Sequence, residues 1–388
     1  QARVSELVES AGDSPRVWIV MEGRTGDDRQ LINLAETLGL SYFRTRLRGG
    51  IPAVLSDRLM DALGVRGKPD RLQWPEARPP DLLLFTGGRA LSAGRRLRRA
   101  SGGRTRLVNL GRPWGALSAP DLIITTPQYR LPERHNVVHN LLPLNRCSRE
   151  KLQGAAHEWQ ERLKAFPGPR LAVLVGGSSG SCCMTVRDAE RLAEDVQARV
   201  TTQGGSLLVA TSPRTPPEVA RALFASLDRP YHGYRWDAAT PGDNPYLGYL
   251  ALADRFLVTG ESASMLADAC NTGKPVDVFP LRERWHTRLR TAFLRGQGRG
   301  RICGRILQAL TERGLWLPAR NLTALHQALA EAGVIGNAAG GQPPFESDLG
   351  RARDAVWGIL EQDSRTATND AVSNAARTPQ REIEHDLS

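Results

Sequence analysis

Lysine is nearly absent from this chain: Lys68, Lys151, Lys164 and Lys274 are the only ones in 388 residues. The formal net charge of +11 is therefore carried almost wholly by arginine. A guanidinium grips phosphate through two parallel N–H groups, so nucleic acid, anionic lipid and phosphorylated small molecules are all open as partners. Codon composition alone would enrich arginine equally well. Long apolar runs are also missing. None reaches eighteen residues, and no transmembrane helix is expected. The first residues carry acids and no apolar signal core, so export is not expected. Cysteine is sparse and odd in number (Cys147, Cys182, Cys183, Cys270 and Cys303), which argues against a disulfide framework and fits a reducing cytosol. The seven histidines are scattered, and no His/Cys/Asp group has metal-ligand spacing. Neither a metal nor a bound cofactor is expected.

What is present reads as two α/β halves. The length suits two domains with a core each, and 40% hydrophobic with 24% charged residues is a globular composition. After a loose lead-in (1–15), Val17 to Met21 is an apolar strand and Glu22 to Asp28 a glycine turn. Leu31, Leu34, Ala35 and Leu38 then recur at helical spacing until Gly39 stops them. Further strands read at 42–47, 82–85, 107–110, 122–125 and 137–138, with helices over 53–63 and 90–99, and this alternation implies a parallel sheet in 16–150. A crossing helix (145–166) and a Pro-Gly-Pro linker (167–169) follow, so that 151–169 lies between the halves, and the alternation restarts over 170–340. Thr185-Val-Arg-Asp188 has the spacing of a capping box. A C-terminal helix is expected over 341–362, and the aperiodic polar stretch 363–388 reads as a disordered tail.

The second half is organised around Phe256 to Pro280. A short strand leads to the turn Thr259-Gly260-Glu261-Ser262 and a helix carrying Ser264 and Asp268. Gly273-Lys274-Pro275 closes that helix and a strand follows. Such a βαβ unit aims its helix N-terminus out of the carboxyl edge of the sheet, where open sheets hold ligands. The segment resembles the donor site of GT-B glycosyltransferases, especially those that add N-acetylglucosamine to lipid-linked cell-wall precursors. The resemblance implies that Asp268 grips a nucleotide ribose, although glutamate is the usual residue there. Earlier in this half, Gly176-Gly177-Ser178-Ser179-Gly180 follows a strand and precedes a helix, an order in which backbone amides can cradle a diphosphate. Neither the dinucleotide fingerprint nor a Walker A loop is present, and a tight βα turn would look the same. Thr211, Ser212 and Arg214 end the next strand, where the guanidinium could reach phosphates.

In the first half, Glu22, Asp27 and Asp28 flank the turn with Gly23 and Gly26. The GT-B resemblance implies that this turn faces the interdomain cleft and carries the carboxylate that deprotonates an acceptor hydroxyl. The residues alone would equally have one of these carboxylates cap a helix that starts near Arg29. Asp28 is the expected cap and Asp27 the expected base. Gly87 and Gly88 follow another strand, and the same resemblance puts them on the acceptor or membrane side. Arg282 to Arg305, with Arg284, Trp285 and Arg288, interleaves charge and aromatics as an anionic membrane or phosphorylated lipid would require, and a solvated helix face would share that pattern. No RNA-binding module is recognisable, so nucleic acid is not expected.

Over residues 17–360 the chain resembles the ELM-type mitochondrial fission family, whose bacterial members look like glycosyltransferases. The carrying residues are Trp18 to Gly23, Gly26, Asp27, Gln30, Thr86 to Gly88, Gly176 to Ser178, Thr211, Ser212, Asn244 to Tyr246 and Thr259 to Pro275. The resemblance implies a GT-B fold: two Rossmann-like parallel-sheet domains facing a cleft, acceptor on the first and nucleotide sugar on the second. It implies glycosyl transfer to an envelope or lipid-linked acceptor without a metal, in the cytoplasm or peripherally at the inner face of the membrane. A nucleotide-sugar epimerase and a non-catalytic adaptor recruiting a protein partner are the alternatives on the same fold.

Overall fold

The computed structural model describes residues 15–23, 25–46, 79–145, 147–237, 243–285, 301–315 and 320–375. The expected helix over 53–63, nearly all of the lead-in, and Arg288 with much of the arginine-rich run lie outside the described residues.

The first half comprises β1 (Val17–Met21), α1 (Thr25–Leu38), β2 (Tyr42–Arg46), β3 (Leu82–Thr86), α2 (Gly88–Ala100), β4 (Arg106–Leu110), β5 (Leu122–Thr125) and β6 (Val137–His139). These strands form a parallel sheet in the order β2-β1-β3-β4-β5-β6. A central parallel strand is covered on both faces and needs no polar alternation. Accordingly, Leu82, Leu83, Leu84 and Phe85 are all fully buried. The stripe Leu31, Leu34, Ala35 and Leu38 of α1 is buried as its spacing predicts, and Gly39 ends the helix at a φ of 68° that favours glycine.

Helix α3 (Arg149–Trp159) crosses to the second half; it is shorter than its apolar pattern implies and gives way to turns. Then follow β7 (Arg170–Val175), β8 (Cys182–Cys183), α4 (Val186–Gln203), β9 (Ser206–Thr211), α5 (Pro217–Ala225), β10 (Tyr231–Tyr234), α6 (Tyr246–Leu252), β11 (Arg255–Thr259), α7 (Ala263–Cys270), β12 (Val276–Phe279) and β13 (Arg282–Glu283). The second sheet is parallel in the order β10-β9-β7-β11-β12, with β13 and β8 a separate antiparallel pair. The capping box of α4 is present: the Asp188 amide donates to Thr185 Oγ1 at 3.3 Å and the Thr185 amide to Asp188 Oδ2 at 3.0 Å.

Among the described residues three further helices follow: α8 (Arg301–Glu312), α9 (Leu322–Glu331) and α10 (Phe345–Ala375). Helix α10 returns to the first half, where Phe345, Leu349, Ala352, Val356 and Leu360 pack with Val17, Ile19, Leu31 and Leu34. Near its start, Asp348 Oδ2 accepts the amides of Leu141 and Leu142 at 3.0 Å each. The helix runs to Ala375, so residues 364–375 continue it, and the remainder of the expected tail, 376–388, lies outside the described residues. Extending an existing helix avoids the cost of nucleation, so no apolar stripe is needed there.

Each sheet has a switch point. The chain steps from β1 out to β2 and returns to β3 on the other side, and it steps from β7 out to β9 and β10 before returning to β11. The crevice outside the carboxyl ends of the strands at such a reversal is where open sheets bind ligands. Here the two carboxyl edges face each other. Two Rossmann-like parallel sheets opposed in this way are the GT-B architecture.

Candidate functional site

Each switch point holds a glutamate against a glycine. After β1, the Glu22 carboxyl lies over Gly87, where a Cβ would come 2.6 Å from Glu22 Oε1. Gly87 also has a φ of 78°, so glycine is required there by both space and conformation. It stands just before α2, whose N-terminal dipole favours a carboxylate. Helix α1 starts at Thr25 rather than near Arg29, and Asp27 and Asp28 therefore occupy its first turn. Apolar periodicity begins only at Leu31 and cannot see a polar first turn. The assignment of Asp28 as the cap is thereby corrected. Its Oδ1 instead accepts the Glu22 amide at 3.2 Å, tying β1 to α1 across the exposed Gly23. Burial raises the Asp28 pKa against the lowering pull of that amide and of Arg46. Asp27, half-buried, shares the turn.

The same turn meets the second half. A Cβ at Gly26 would come 2.3 Å from Ser264 Oγ on α7, and Asn145 Nδ2 donates to the Gly26 carbonyl at 2.9 Å. One helical turn further on, Arg29 Nη1 donates to Asp268 Oδ2 at 2.9 Å. The Tyr246 hydroxyl donates to the same oxygen at 2.9 Å. Asp268 is buried, and its Oδ1 has no partner among the described residues. Burial raises its pKa while Arg29 and Tyr246 pull it down. The residue assigned to a ribose thus has one oxygen committed to protein donors and one without.

At the second switch point the strand ends are stitched together. The Gly176 amide donates to Thr259 Oγ1 at 2.8 Å, and the Gly176 carbonyl accepts the hydroxyls of Ser212 and Thr215. The Ser178 amide donates to the Arg214 carbonyl at 3.2 Å and the Ser179 amide to the Cys182 carbonyl at 2.9 Å. Gly177 has a φ of 111°, and a Cβ there would come 2.3 Å from the Arg214 carbonyl oxygen. The amides of Gly176, Ser178 and Ser179, expected to cradle phosphate, thus serve the protein itself, while Gly180 stands exposed. Over the loop lies Glu261, whose Oε1 would be 1.9 Å from a Cβ at Gly176. Arg214 Nη2 reaches Glu261 Oε1 at 3.6 Å and donates to Ser262 Oγ at 3.0 Å.

The remaining predicted residues scatter. Thr211 Oγ1 accepts the Trp236 amide at 2.9 Å, so it serves the neighbouring strand end. Arg284 Nε donates to the Ser179 carbonyl at 3.1 Å, so this arginine braces the loop, while the neighbouring Trp285 is 74% exposed. Arg29, Tyr246, Asn145 and His326 had no site role assigned to them from the sequence. His326 Nε2 lies 2.9 Å from the Gly260 carbonyl, and burial lowers its pKa. Only the run Asn244-Pro245-Tyr246 carried a signal beforehand, since the other three are single polar residues on otherwise ordinary helices and loops.

A two-domain GT-B protein with acidic turns at both switch points is the class these features define. The model of the mitochondrial fission ELM1 family matches residues 25–338, and the chain belongs to that family. It is 28% identical over 221 residues to the mitochondrial fission protein ELM1 of Arabidopsis thaliana, covering 51% of this chain and 51% of that protein. The chain therefore spans about half the length of that plant relative. It is 24% identical over 297 residues to an uncharacterized protein of Rickettsia prowazekii, covering 68% of this chain and 82% of the other. Among solved structures, it is similar to a UDP-GlcNAc 2-epimerase of Methanocaldococcus jannaschii, with a TM-score of 0.47 and 12% identity, covering 89% of this chain and 99% of that one. A likeness of that grade says nothing of activity.

Proposed function

We propose that the chain transfers a sugar from a nucleotide-sugar donor to an envelope or lipid-linked acceptor, without a metal ion. The observation that carries this reading is the approach of Gly26 to Ser264, which sets the acidic first turn of one half against the start of α7 in the other. A donor on the second half would lie with its phosphates toward Arg214 and the N-terminus of α7. Its ribose would come to Asp268 Oδ1. An acceptor hydroxyl on the first half would give its proton to Asp27 as its oxygen attacks the sugar carbon and the nucleoside diphosphate leaves. Docking at the inner face of a membrane goes with a lipid-linked acceptor, through the arginine-rich run and Trp285.

A second reading is favoured by the engaged amides of the Gly176–Ser179 turn and by the Arg29–Asp268 pair: an adaptor that keeps the fold and binds a protein partner. Calorimetry with a panel of UDP-, GDP- and TDP-sugars separates the two. Saturable binding of one nucleotide class supports the enzyme, and no binding across the panel leaves the adaptor. A donor that is converted only when an acceptor is present then separates transfer from epimerisation.

A further inference from the structure

The Glu261 carboxyl sits where an anion-binding turn would place a bound phosphate. It follows β11, the neighbour of the central strand β7, and reaches across the switch point to the turn after β7, filling the space that the missing side chain of Gly176 leaves. Its side chain is fully buried, and neither oxygen makes a hydrogen bond of ordinary length and angle to a described residue. Its own amide, the Thr259 hydroxyl and the Gly177 amide act on it only as looser neighbours, and Arg214 is the cation at 3.6 Å. The Arg214 side chain is 43% exposed, so the cation that reaches the buried Glu261 is also open to solvent. One arginine therefore has an anion behind it and an open side in front.

We propose that a phosphate entering the cleft shares Arg214 with Glu261, and that the site takes up a proton on Glu261 as it takes up the phosphate. This rests on the nucleotide-sugar reading above and adds the protonation state in which that ligand is held. Two anions on one guanidinium repel, and the buried one can be neutralised only by a proton. Burial already raises the Glu261 pKa to about 7, against the lowering influence of Arg214, Thr259 and Gly177. A second anion weakens the hold of Arg214 and raises it further. The neutral carboxyl then offers an O–H donor in place of a negative charge. Among the described residues, the other titratable groups around it are Cys182 on β8, raised to about 11 by burial and by Glu261 itself, and His326 on α9 beside Gly260. Glu283 on β13 and Arg320 ahead of α9 act on Cys182 from further out. A thiol at that pKa stays neutral near pH 8, so among the described residues His326 is the competing proton acceptor.

The test is calorimetry with the nucleotide sugar that binds best in the panel, because its phosphodiesters do not titrate near neutrality. At pH 8, in two buffers of different ionisation enthalpy, the wild-type protein should take up roughly 0.5–0.9 proton per ligand. Its affinity should be flat below pH 7 and fall by up to about tenfold per pH unit above it. Glu261→Gln should abolish the uptake and the pH dependence while binding at pH 8 at least as tightly, and His326→Gln should keep both. Binding with a buffer-independent enthalpy in the wild-type protein overturns the proposal without touching the nucleotide-sugar reading. Uptake that survives in Glu261→Gln, or vanishes in His326→Gln, overturns it too. The wild-type measurement stands alone should Glu261→Gln fail to fold. No binding anywhere in the panel removes both the reading and the proposal.

Discussion

Arg29 on the first helix of one half and Asp268 on the helix after β11 of the other form an ion pair at 2.9 Å, and Tyr246 donates to the same carboxylate oxygen. This contact spans 239 residues of sequence and closes the two halves against each other. Asp268 is buried, so removal of its cation leaves a charge with little water to turn to.

Arg29→Met should therefore destabilise the protein by about 1.5–3 kcal/mol, the range for a hydrogen bond to a charged group. Asp268→Asn in the same background should cost less than it does alone, because the orphaned charge has gone. Urea denaturation of the four members of the cycle measures both. Additive costs would mean that the pair does not couple the halves.

Gly26 is a test of how closely the halves meet. A Cβ there would lie 2.3 Å from Ser264 Oγ and 3.0 Å from its Cβ. Gly26→Ala should cost about 1–3 kcal/mol as an overpacked contact. Ser264→Gly in the same chain should recover part of that loss. A Gly26→Ala protein as stable as its parent would show that the cleft yields at that point.

Glu261 has a consequence for stability that needs no ligand. Its folded pKa of about 7 is above the ordinary carboxylate value of 4.5. A group raised on folding binds its proton more tightly in the native state. Its contribution is thus fully present below about pH 4.5 and lost as pH rises through 7. Glu261→Gln cannot ionise, so its advantage over wild type should open across that window to roughly 3 kcal/mol and stay constant above it. Chemical denaturation at several pH values follows the gap; a constant gap from pH 4.5 to 8 would place the titration elsewhere.

Asp27 is the carboxylate on which the transfer reading depends, because Asp28 is held by the Glu22 amide. Asp27→Asn keeps the shape and removes the base, which should lower turnover by about 10²–10⁴-fold. Nucleotide-sugar affinity should be unchanged. Turnover near the wild-type level would move the role to Glu22.

Much of the framework was legible beforehand because it follows from local periodicity. The strand Leu82 to Phe85, the stripe on α1, the capping box at Thr185 and the glycine stops at Gly39 and Gly273 each depend on residues within a turn or two of one another. The βα turns with Glu22 and Glu261 were placed correctly for the same reason. The start of α1 was misjudged because its first turn is polar, and the extent of α10 because a helix, once nucleated, propagates through polar residues. What the side chains in those turns do was decided only by tertiary structure. Gly176 amounts to a cradle in isolation, yet Glu261, 85 positions later, fills it. Asp268 carries an ordinary acid's signal, yet Arg29 and Tyr246 reach it from elements far away in sequence. Propensity and hydrophobic period act over a few residues, so a sequence by itself determines the elements and the edge at which they end. Which charged groups then share that edge depends on the packing of two sheets and the return of α10 to the first, and no local pattern encodes those distances.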